Sequence, residues 1–351
     1  MLTELRPLLL VAALVLAVFV VPFRVLHAAG YLLRGCDLST PFHFEPRFAA
    51  RRAELSASGP VEIVFTGDSR VEMGIAPRWI TCATSFNLSC AAMTLPLVSS
   101  IALDTLRELG VRPRYVAIGI TPDLAAARAG DDDETRQAAR LYAAAEARRR
   151  DADWWSALEA GVFGFVLHRD VLMSELSMYV AWLTRRDPPD HTQHVVFNRP
   201  LSWAEYFHLA DRLPIERGWA RDTTAAFTSG EYPRVPGIRR RLAPPYGVDV
   251  PRLEALVREI RALGAEPIFI EMPLHPSFYR SQGEAVRQAL HEGIATVAAR
   301  ARVLALDVPF DAVHPGYYAD GHHLSAAGAE AFSRALDGAL APHLALRGAK
   351  R

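Results

Sequence analysis

Five short apolar runs lie between residue 61 and residue 308, and longer amphipathic segments separate most of them. The runs are "VEIVFT" (61–66), "SFNLS" (85–89), "YVAIGI" (115–120), "PIFIEM" (267–272) and "RVLALDV" (302–308). Each has the length of a strand, and most are rich in Val, Ile, Leu or Phe. Such runs are typical of strands buried on both faces of a parallel sheet.

The segments between these runs have the period of amphipathic helices. One apolar stripe in "VPRLEALVREIRALGAEP" consists of Leu253, Leu256, Val257, Ile260 and Leu263. Gly264 follows this stripe and Gly110 ends a similar one, and glycine is common just after a helix. Strand, helix and strand joined by right-handed crossovers give a parallel sheet covered on both faces. The sequence therefore predicts a three-layer, doubly wound α/β domain over residues 60–345.

The alternating pattern breaks between residues 124 and 245. Its first part has helical segments, whereas 187–245 is rich in Pro, Arg and aromatic residues and has no clear period. We interpret 124–245 as an insertion at the carboxyl edge of the sheet. Two interpretations of this insertion remain open: it is a cap over a site, or it is a helical subdomain that only pads the sheet.

The N-terminal segment is apolar enough to cross a membrane. No residue from Pro7 to Phe23 is charged, and apolar residues predominate as far as Leu33. A helix of this length approaches the roughly 30 Å of a bilayer core at about 1.5 Å per residue. We interpret residues 1–34 as an uncleaved anchor in preference to a cleaved signal, and residues 35–59 as a linker.

Two features of the sequence give opposite predictions for the orientation of this segment in the membrane. Arginines follow the span more often than they precede it, which by the positive-inside rule places the rest of the chain in the cytoplasm. One N-terminal span ahead of a long polar domain is, however, the usual layout of an export signal, and long domains translocate largely regardless of charge. We therefore expect the domain outside the cytoplasm, periplasmic or extracellular, with secretion as the alternative.

The composition of the chain argues against nucleic acid and metal ions as ligands. The chain has 39 basic and 39 acidic residues, so no net field favours nucleic acid. The three cysteines, Cys36, Cys82 and Cys90, do not have the spacing of a zinc site. A Cys82–Cys90 bridge and buried free thiols are both compatible with the sequence. We expect no metal and no cofactor.

Candidate chemistry lies at two strand ends. Gly67-Asp68-Ser69 follows the first strand, where a serine hydroxyl entering a helix could act as a nucleophile if a histidine served as its base. Asp320 and His323 stand three apart in the loop after the last strand, so the acid could hold one ring nitrogen of the histidine. The carboxyl ends of parallel strands share one edge of the sheet. The spacing favours His323 over His322 as the base.

In these two blocks the chain resembles the SGNH/GDSL hydrolase superfamily over about residues 60–340, without the middle insertion. The resemblance implies that Ser69 is the nucleophile, His323 the general base and Asp320 its orienting acid. "FNLSCAA" (86–92) is similar to the second block of that family, which implies that the backbone N–H groups of Ala92 and Ser69 form the oxyanion hole.

The third block departs from the family. Its usual Gly-x-Asn-Asp is replaced by "GITPDL", so Thr121 is the candidate side-chain donor to the oxyanion. Two further residues are candidates for substrate binding. Arg70 could contact an anionic substrate or pair with Asp68 or Glu72, and His275 could contact substrate or be a structural loop residue.

The anchor and the insertion resemble the membrane-bound SGNH-like proteins that acylate cell-surface polymers. That resemblance implies an esterase or O-acyltransferase acting on an acylated saccharide or polymer, with a membrane partner that donates the acyl group. The alternative from another class is a non-catalytic protein of the same fold that binds polymer or partner proteins in an assembly complex.

Overall fold

A computed structural model describes residues 44–90, 93–127, 242, 246–314, 316–319 and 322–348, together with the backbone of 215–216 and 219–220. Its main sheet has five parallel strands in the order β2-β1-β3-β6-β7. They are β1 Ile63–Thr66, β2 Ser85–Asn87, β3 Tyr115–Ile120, β6 Glu266–Glu271 and β7 Leu304–Leu306. All five predicted strands are confirmed. A separate antiparallel hairpin consists of β4 Ile215–Glu216 and β5 Trp219–Ala220.

The strand order places a topological switch next to β1. The chain leaves β1 toward β2 on one side, then returns across the sheet to pair β3 with the other side of β1. Thr66 lies beside Ile118, so β3 extends past the end of β1. In open α/β sheets, ligands bind beyond the carboxyl ends of the strands at such a switch. The residues that follow β1 and β3 therefore meet where a ligand is expected.

Helices cover both faces of this sheet. They are α1 Phe44–Ala57, α2 Ser69–Gly74, α3 Leu95–Leu97, α4 Asp104–Glu108, α5 Val250–Ala262, α6 Pro276–Gln282, α7 Glu284–Ala301 and α8 Ala326–Gly348, with a π-helical turn Val98–Leu103 and a 3₁₀ turn Pro77–Trp79. Side chains alternate between two cores along β1: Val64 packs into one, and Ile63 and Phe65 into the other. The predicted three-layer α/β architecture is confirmed.

The helix before β6 is close to its prediction. Four residues of the predicted stripe are fully buried, and these are Leu253, Leu256, Val257 and Ile260. Asp249 caps the helix, because its carboxylate accepts a hydrogen bond of 3.0 Å from the Arg252 N–H. Gly264 has φ of 82°, a left-handed conformation that glycine adopts without strain. The glycine therefore ends the helix and turns the chain into the next strand.

The predicted linker is wrong for residues 44–57, which form helix α1. Arg51 and Leu55 lie one turn apart on this helix and are 0% and 1% exposed. The polar composition of the segment suggested an exposed connection. Instead, an arginine occupies one of the buried positions, and its charge conceals the apolar pattern that would have predicted a packed helix.

The predicted insertion leaves and rejoins the domain at neighbouring points. The Ala127 N–H donates to the Gly247 carbonyl at 2.9 Å, and the Asp249 N–H donates to the Ala125 carbonyl at 2.8 Å. Strand β5 lies beside helix α2, the helix that starts at Ser69. The helices predicted within 124–245 lie outside the described residues, so the choice between cap and padding stays open.

The predicted membrane segment, residues 7–33, also lies outside the described residues. Among the helices that the structure does describe, none is both long and apolar enough to cross a bilayer.

Candidate active site

The turn after β1 needs glycine at its first position. Gly67 has φ of 154°, and a Cβ there would lie only 2.8 Å from the Gly119 carbonyl oxygen of β3. The next residue, Asp68, caps α2, because its Oδ1 accepts from the Arg70 N–H at 2.9 Å. Ser69 is therefore held as the first residue of α2, at the edge of the sheet where β1 ends.

The structure brings Ser69 and His323 together. The Ser69 Oγ lies 2.7 Å from Nε2 of His323, although the two residues are 254 positions apart in the chain. Ser69 is partly exposed, whereas His323 is 4% exposed. This is the geometry of a hydroxyl and the base that could deprotonate it, with the hydroxyl open to a substrate.

The loop that carries His323 is closed by backbone contacts. The Ala319 N–H donates to the His323 carbonyl at 2.9 Å, and Tyr318 and Leu324 form an antiparallel bridge. The ring of His322 lies beside that of His323, with centroids 4.0 Å apart. The structure thus places His323 against Ser69 from this loop. Asp320 lies outside the described residues, so its orienting role stays a prediction.

A buried polar network lies beside residues 67–69, which we call the nucleophile turn after the predicted role of Ser69. Nη1 of Arg70 contacts Asp68 Oδ2 at 2.6 Å and Asp123 Oδ1 at 2.5 Å. The same nitrogen donates to Thr121 Oγ1 at 3.0 Å, and the Thr121 hydroxyl donates to Asp68 Oδ2 at 2.7 Å. Arg70 is 3% exposed, and of the interpretations that the sequence left open, the structure shows the ion pair with Asp68. Glu72 pairs with Arg51.

Thr121 stands at the third-block position where the family has asparagine, and its side chain is fully buried. A hydroxyl has one hydrogen to donate, and here that hydrogen goes to Asp68. In this arrangement Thr121 supports the nucleophile turn and has no second hydrogen for an oxyanion. The predicted oxyanion role of Thr121 would require the Asp68 contact to break.

The second block runs close to the nucleophile turn. The Leu88 N–H donates to the Phe65 carbonyl at 2.8 Å, and the Cys90 N–H donates to the Gly67 carbonyl at 3.2 Å. These bonds continue the pairing of β2 with β1 beyond the strands. Ala92 lies outside the described residues, so its predicted contribution to an oxyanion hole stays a prediction.

His275 is the N-cap of α6. Its Nδ1 accepts from the Ser277 N–H at 3.2 Å and lies 2.7 Å from the Ser277 hydroxyl oxygen. Burial, and after it the charge of Arg280, lower the pKa of His275 below its ordinary value. A nitrogen that accepts from a backbone N–H carries no proton, so the cap requires neutral histidine. The ring also meets Tyr318 edge-on at 5.2 Å. These contacts favour the structural interpretation of His275.

The described cysteines are free thiols. Cys82 is half-buried and Cys90 is buried, so the structure supports free thiols over a Cys82–Cys90 bridge. Burial, together with a hydrogen bond to Asp337, raises the pKa of Cys82 to about 12. Such a thiol is a poor nucleophile. Cys36 lies outside the described residues.

Two buried charges near the site were not predicted. Asp123 is the aspartate of "GITPDL", to which the sequence assigns no role, and Arg51 lies in the segment interpreted as a linker. Asp123 could have been inferred, because it follows β3 and a parallel sheet places that end beside Arg70. The sequence has no comparable signal for Arg51, since a helix before the first strand can pack in many positions.

No protein-family model matches the sequence, and no curated protein matches it significantly. Among solved structures, the chain is similar to a candidate acylhydrolase from Bacteroides fragilis, at 11% identity over 85% of this chain and 96% of that one, with a TM-score of 0.39. It is also similar to a GDSL-like lipase from Bacteroides thetaiotaomicron, at 11% identity over 86% of this chain and 99% of that one, with a TM-score of 0.39.

Proposed function

We propose that this protein is an SGNH-type serine ester hydrolase or O-acyltransferase. The observation that carries the proposal is the 2.7 Å contact between Ser69 Oγ and His323 Nε2 at the carboxyl edge of the sheet. A serine hydroxyl is a weak nucleophile until an adjacent base removes its proton as it attacks. The buried imidazole and the partly exposed hydroxyl have the positions that this step requires.

The reaction has two steps. Ser69 Oγ attacks the ester carbonyl carbon while its proton passes to His323 Nε2, and the tetrahedral intermediate then expels the alcohol, which takes that proton. In the second step, water or a sugar hydroxyl gives its proton to His323 and attacks the acyl-serine ester. This releases the acyl group as an acid or as a new ester and returns the proton to Ser69. Asp320 would hold Nδ1 of His323 throughout.

The oxyanion would be bound mainly by backbone groups, the N–H of Ser69 and that of Ala92. Because the Thr121 hydroxyl donates to Asp68, the site would operate without the asparagine donor of the family. Loss of one such donor commonly slows acyl transfer by about 10² to 10³. A bound sugar hydroxyl gains from positioning that free water lacks, and such gains can reach several kcal/mol. Transfer to a bound acceptor would therefore be favoured over hydrolysis.

The substrate we propose is an acylated saccharide or surface polymer outside the cytoplasm. A cavity of about 870 Å³ opens near the carboxyl ends of β6 and β7, and neither Ser69 nor His323 is among the described residues that line it. A polymer bound there would have to extend along the same edge of the sheet to reach Ser69. Polar side chains such as Glu271, Arg287 and His291 line it together with Met272 and Tyr279. Mixed polar and apolar walls suit a sugar ring, which has hydroxyl edges and C–H faces.

A nitrophenyl ester tests the chemistry. We expect slow hydrolysis that is lost in Ser69→Ala, because the alanine has no nucleophile. Adding the matching saccharide acceptor should raise the rate of nitrophenol release, since the acceptor removes the acyl group faster than water does. Release of nitrophenol, with and without candidate saccharides, measures both effects.

Three results would contradict parts of this proposal: the first would overturn only the preference for transfer, and the other two would overturn the role of Ser69. Fast hydrolysis that no acceptor changes would indicate an ordinary esterase. Hydrolysis that persists in Ser69→Ala, or failure of the wild type to react with a fluorophosphonate probe, would favour the non-catalytic alternative, a protein that binds polymer or partner proteins in an envelope assembly.

We also propose that residues 7–33 anchor the protein in a membrane, beside a partner that supplies the acyl group. Full-length protein should stay with membranes through a carbonate wash, because transfer of the uncharged run from Pro7 to Phe23 from water into the bilayer lowers the free energy. A matched variant that begins at Pro41 keeps helix α1 and should be released. If the protein expressed from the full sequence were recovered in the wash without its N-terminal residues, the segment would be a cleaved signal.

A further inference from the structure

Arg51 lies outside residues 60–340, which carry the family resemblance, yet its side chain reaches the region behind the nucleophile. It is located on α1 and is 0% exposed. Nη2 of this arginine pairs with Glu72 Oε1 at 2.5 Å. Nη1 donates to the Ser89 carbonyl at 2.7 Å and contacts Cys90 Sγ at 3.1 Å. One guanidinium therefore touches two separate parts of the chain.

Both parts adjoin the proposed active site. Glu72 lies on α2, three residues after Ser69. Ser89 and Cys90 form the loop after β2, and the Cys90 N–H donates to the carbonyl of Gly67 in the nucleophile turn at 3.2 Å. The guanidinium thus links the helix that begins with the nucleophile to the loop that leads into the predicted oxyanion segment.

The charge of Arg51 is compensated inside the protein. Burial by itself would lower the pKa of Arg51, but attraction to Glu72 and Cys90 outweighs it and leaves the pKa raised. A guanidinium is planar and holds its donors in a fixed fork, so it can bond Glu72 and the Ser89 carbonyl in one defined geometry. Lysine is a point charge on a flexible stem and cannot reproduce both contacts. The residue type therefore suits a brace between two elements.

We infer that Arg51 is a positioning residue for the proposed acyl transfer: it holds the loop 88–90 in register with the turn that carries Ser69. This inference rests on the proposed function, because the register matters to the reaction only if Ser69 is the nucleophile. Arg51 acts through the loop and α2, and we assign it no contact with substrate. Its removal should slow the chemical step and leave substrate binding nearly unchanged.

The main test replaces both charges, as Arg51→Met with Glu72→Met. Removing Arg51 alone would leave a buried unpaired carboxylate and would strongly destabilise the protein, whereas replacing a whole buried pair by apolar side chains is often neutral. We expect the double variant to fold and its kcat to fall about tenfold to a hundredfold, since small misplacements of reacting groups have effects of this size. KM should stay within about twofold, because the brace is not part of the substrate site.

Leu55→Ala is the matched control. Leu55 lies one turn after Arg51 on the same buried face of α1 and belongs to the hydrophobic core. Its truncation should destabilise the domain but removes no hydrogen bond to the loop 88–90, whose Leu88 and Cys90 belong to the same core, so kcat should stay within about twofold of wild type at a temperature where both variants are folded. Arg51→Lys keeps the charge opposite Glu72 without the fork, and its kcat should fall between those of the wild type and the double variant.

Hydrogen exchange gives a readout that does not depend on activity. The N–H groups of Leu88 and Cys90 are bonded to the nucleophile strand and turn, so a peptide covering 86–90 should exchange faster in the double variant and not in Leu55→Ala. If hydrogen exchange were unchanged in the folded double variant, Arg51 would not hold the loop 88–90 in place. Faster exchange with wild-type kcat would overturn the positioning role. Turnover that survives Ser69→Ala would instead refute the proposed function, and the exchange result would still decide whether Arg51 holds the loop.

Discussion

His323→Ala should lower the rate of labelling by a fluorophosphonate probe at least about a hundredfold, the usual scale for removal of a general base. The Ser69 hydroxyl reacts quickly only if a base accepts its proton, and His323 Nε2 is the base within hydrogen-bond distance at 2.7 Å. The rate of labelling at neutral pH, followed by fluorescence in a gel, measures the effect.

His322→Ala is the matched control for this result. The two rings are neighbours, with centroids 4.0 Å apart, so both substitutions disturb the same loop and remove a similar volume. We expect His322→Ala to change the labelling rate by less than about tenfold, because its ring is not the one against Ser69. If the two variants exchanged ranks, His322 would be the base and the assignment made from spacing would be wrong.

The strands of the main sheet and the candidate catalytic residues could be predicted from the sequence because they depend on local sequence patterns. Buried strands give continuous apolar runs, and β1 and β3 occur where those runs predicted them. Parallel strands also share one carboxyl edge, so a serine after the first strand and a histidine after the last were expected to meet. His323 could be preferred over His322 because its spacing from Asp320 matched a known block.

Other parts of the site could not be inferred because they depend on tertiary contacts between charges. Arg70 had three plausible partners in the sequence, and only the folded chain shows that it pairs with Asp68 and Asp123 while Thr121 completes the network. Thr121 was predicted as an oxyanion donor because its position in the motif is known, whereas the direction of its hydrogen bond is not a property of the motif. The burial of Arg51 was not predicted, because an arginine in a hydrophobic pattern normally indicates a surface position.

Arg70→Met should reduce the free energy of unfolding by about 3–5 kcal/mol, the range found when one partner of a buried ion pair is removed. Without the guanidinium, Asp68 and Asp123 would be buried carboxylates, 3% and 7% exposed, with their shared cation gone. Nearby Ser69 should also lose reactivity, since Asp68 caps the helix that Ser69 begins. Urea unfolding followed by tryptophan fluorescence measures the stability, and probe labelling measures the reactivity.

Arg107→Met tests whether burial is the cause of that loss. Arg107 also pairs with an aspartate, Asp104, but its side chain is 42% exposed. Exposed pairs of this kind typically contribute about 0–1 kcal/mol, so this variant should unfold nearly like the wild type. Adding Asp123→Asn to Arg70→Met should recover part of the stability, because it removes one of the two carboxylates left without their cation. Equal losses in Arg70→Met and Arg107→Met would mean that Arg70 is not the centre of a buried charge network and does not hold Ser69 in place.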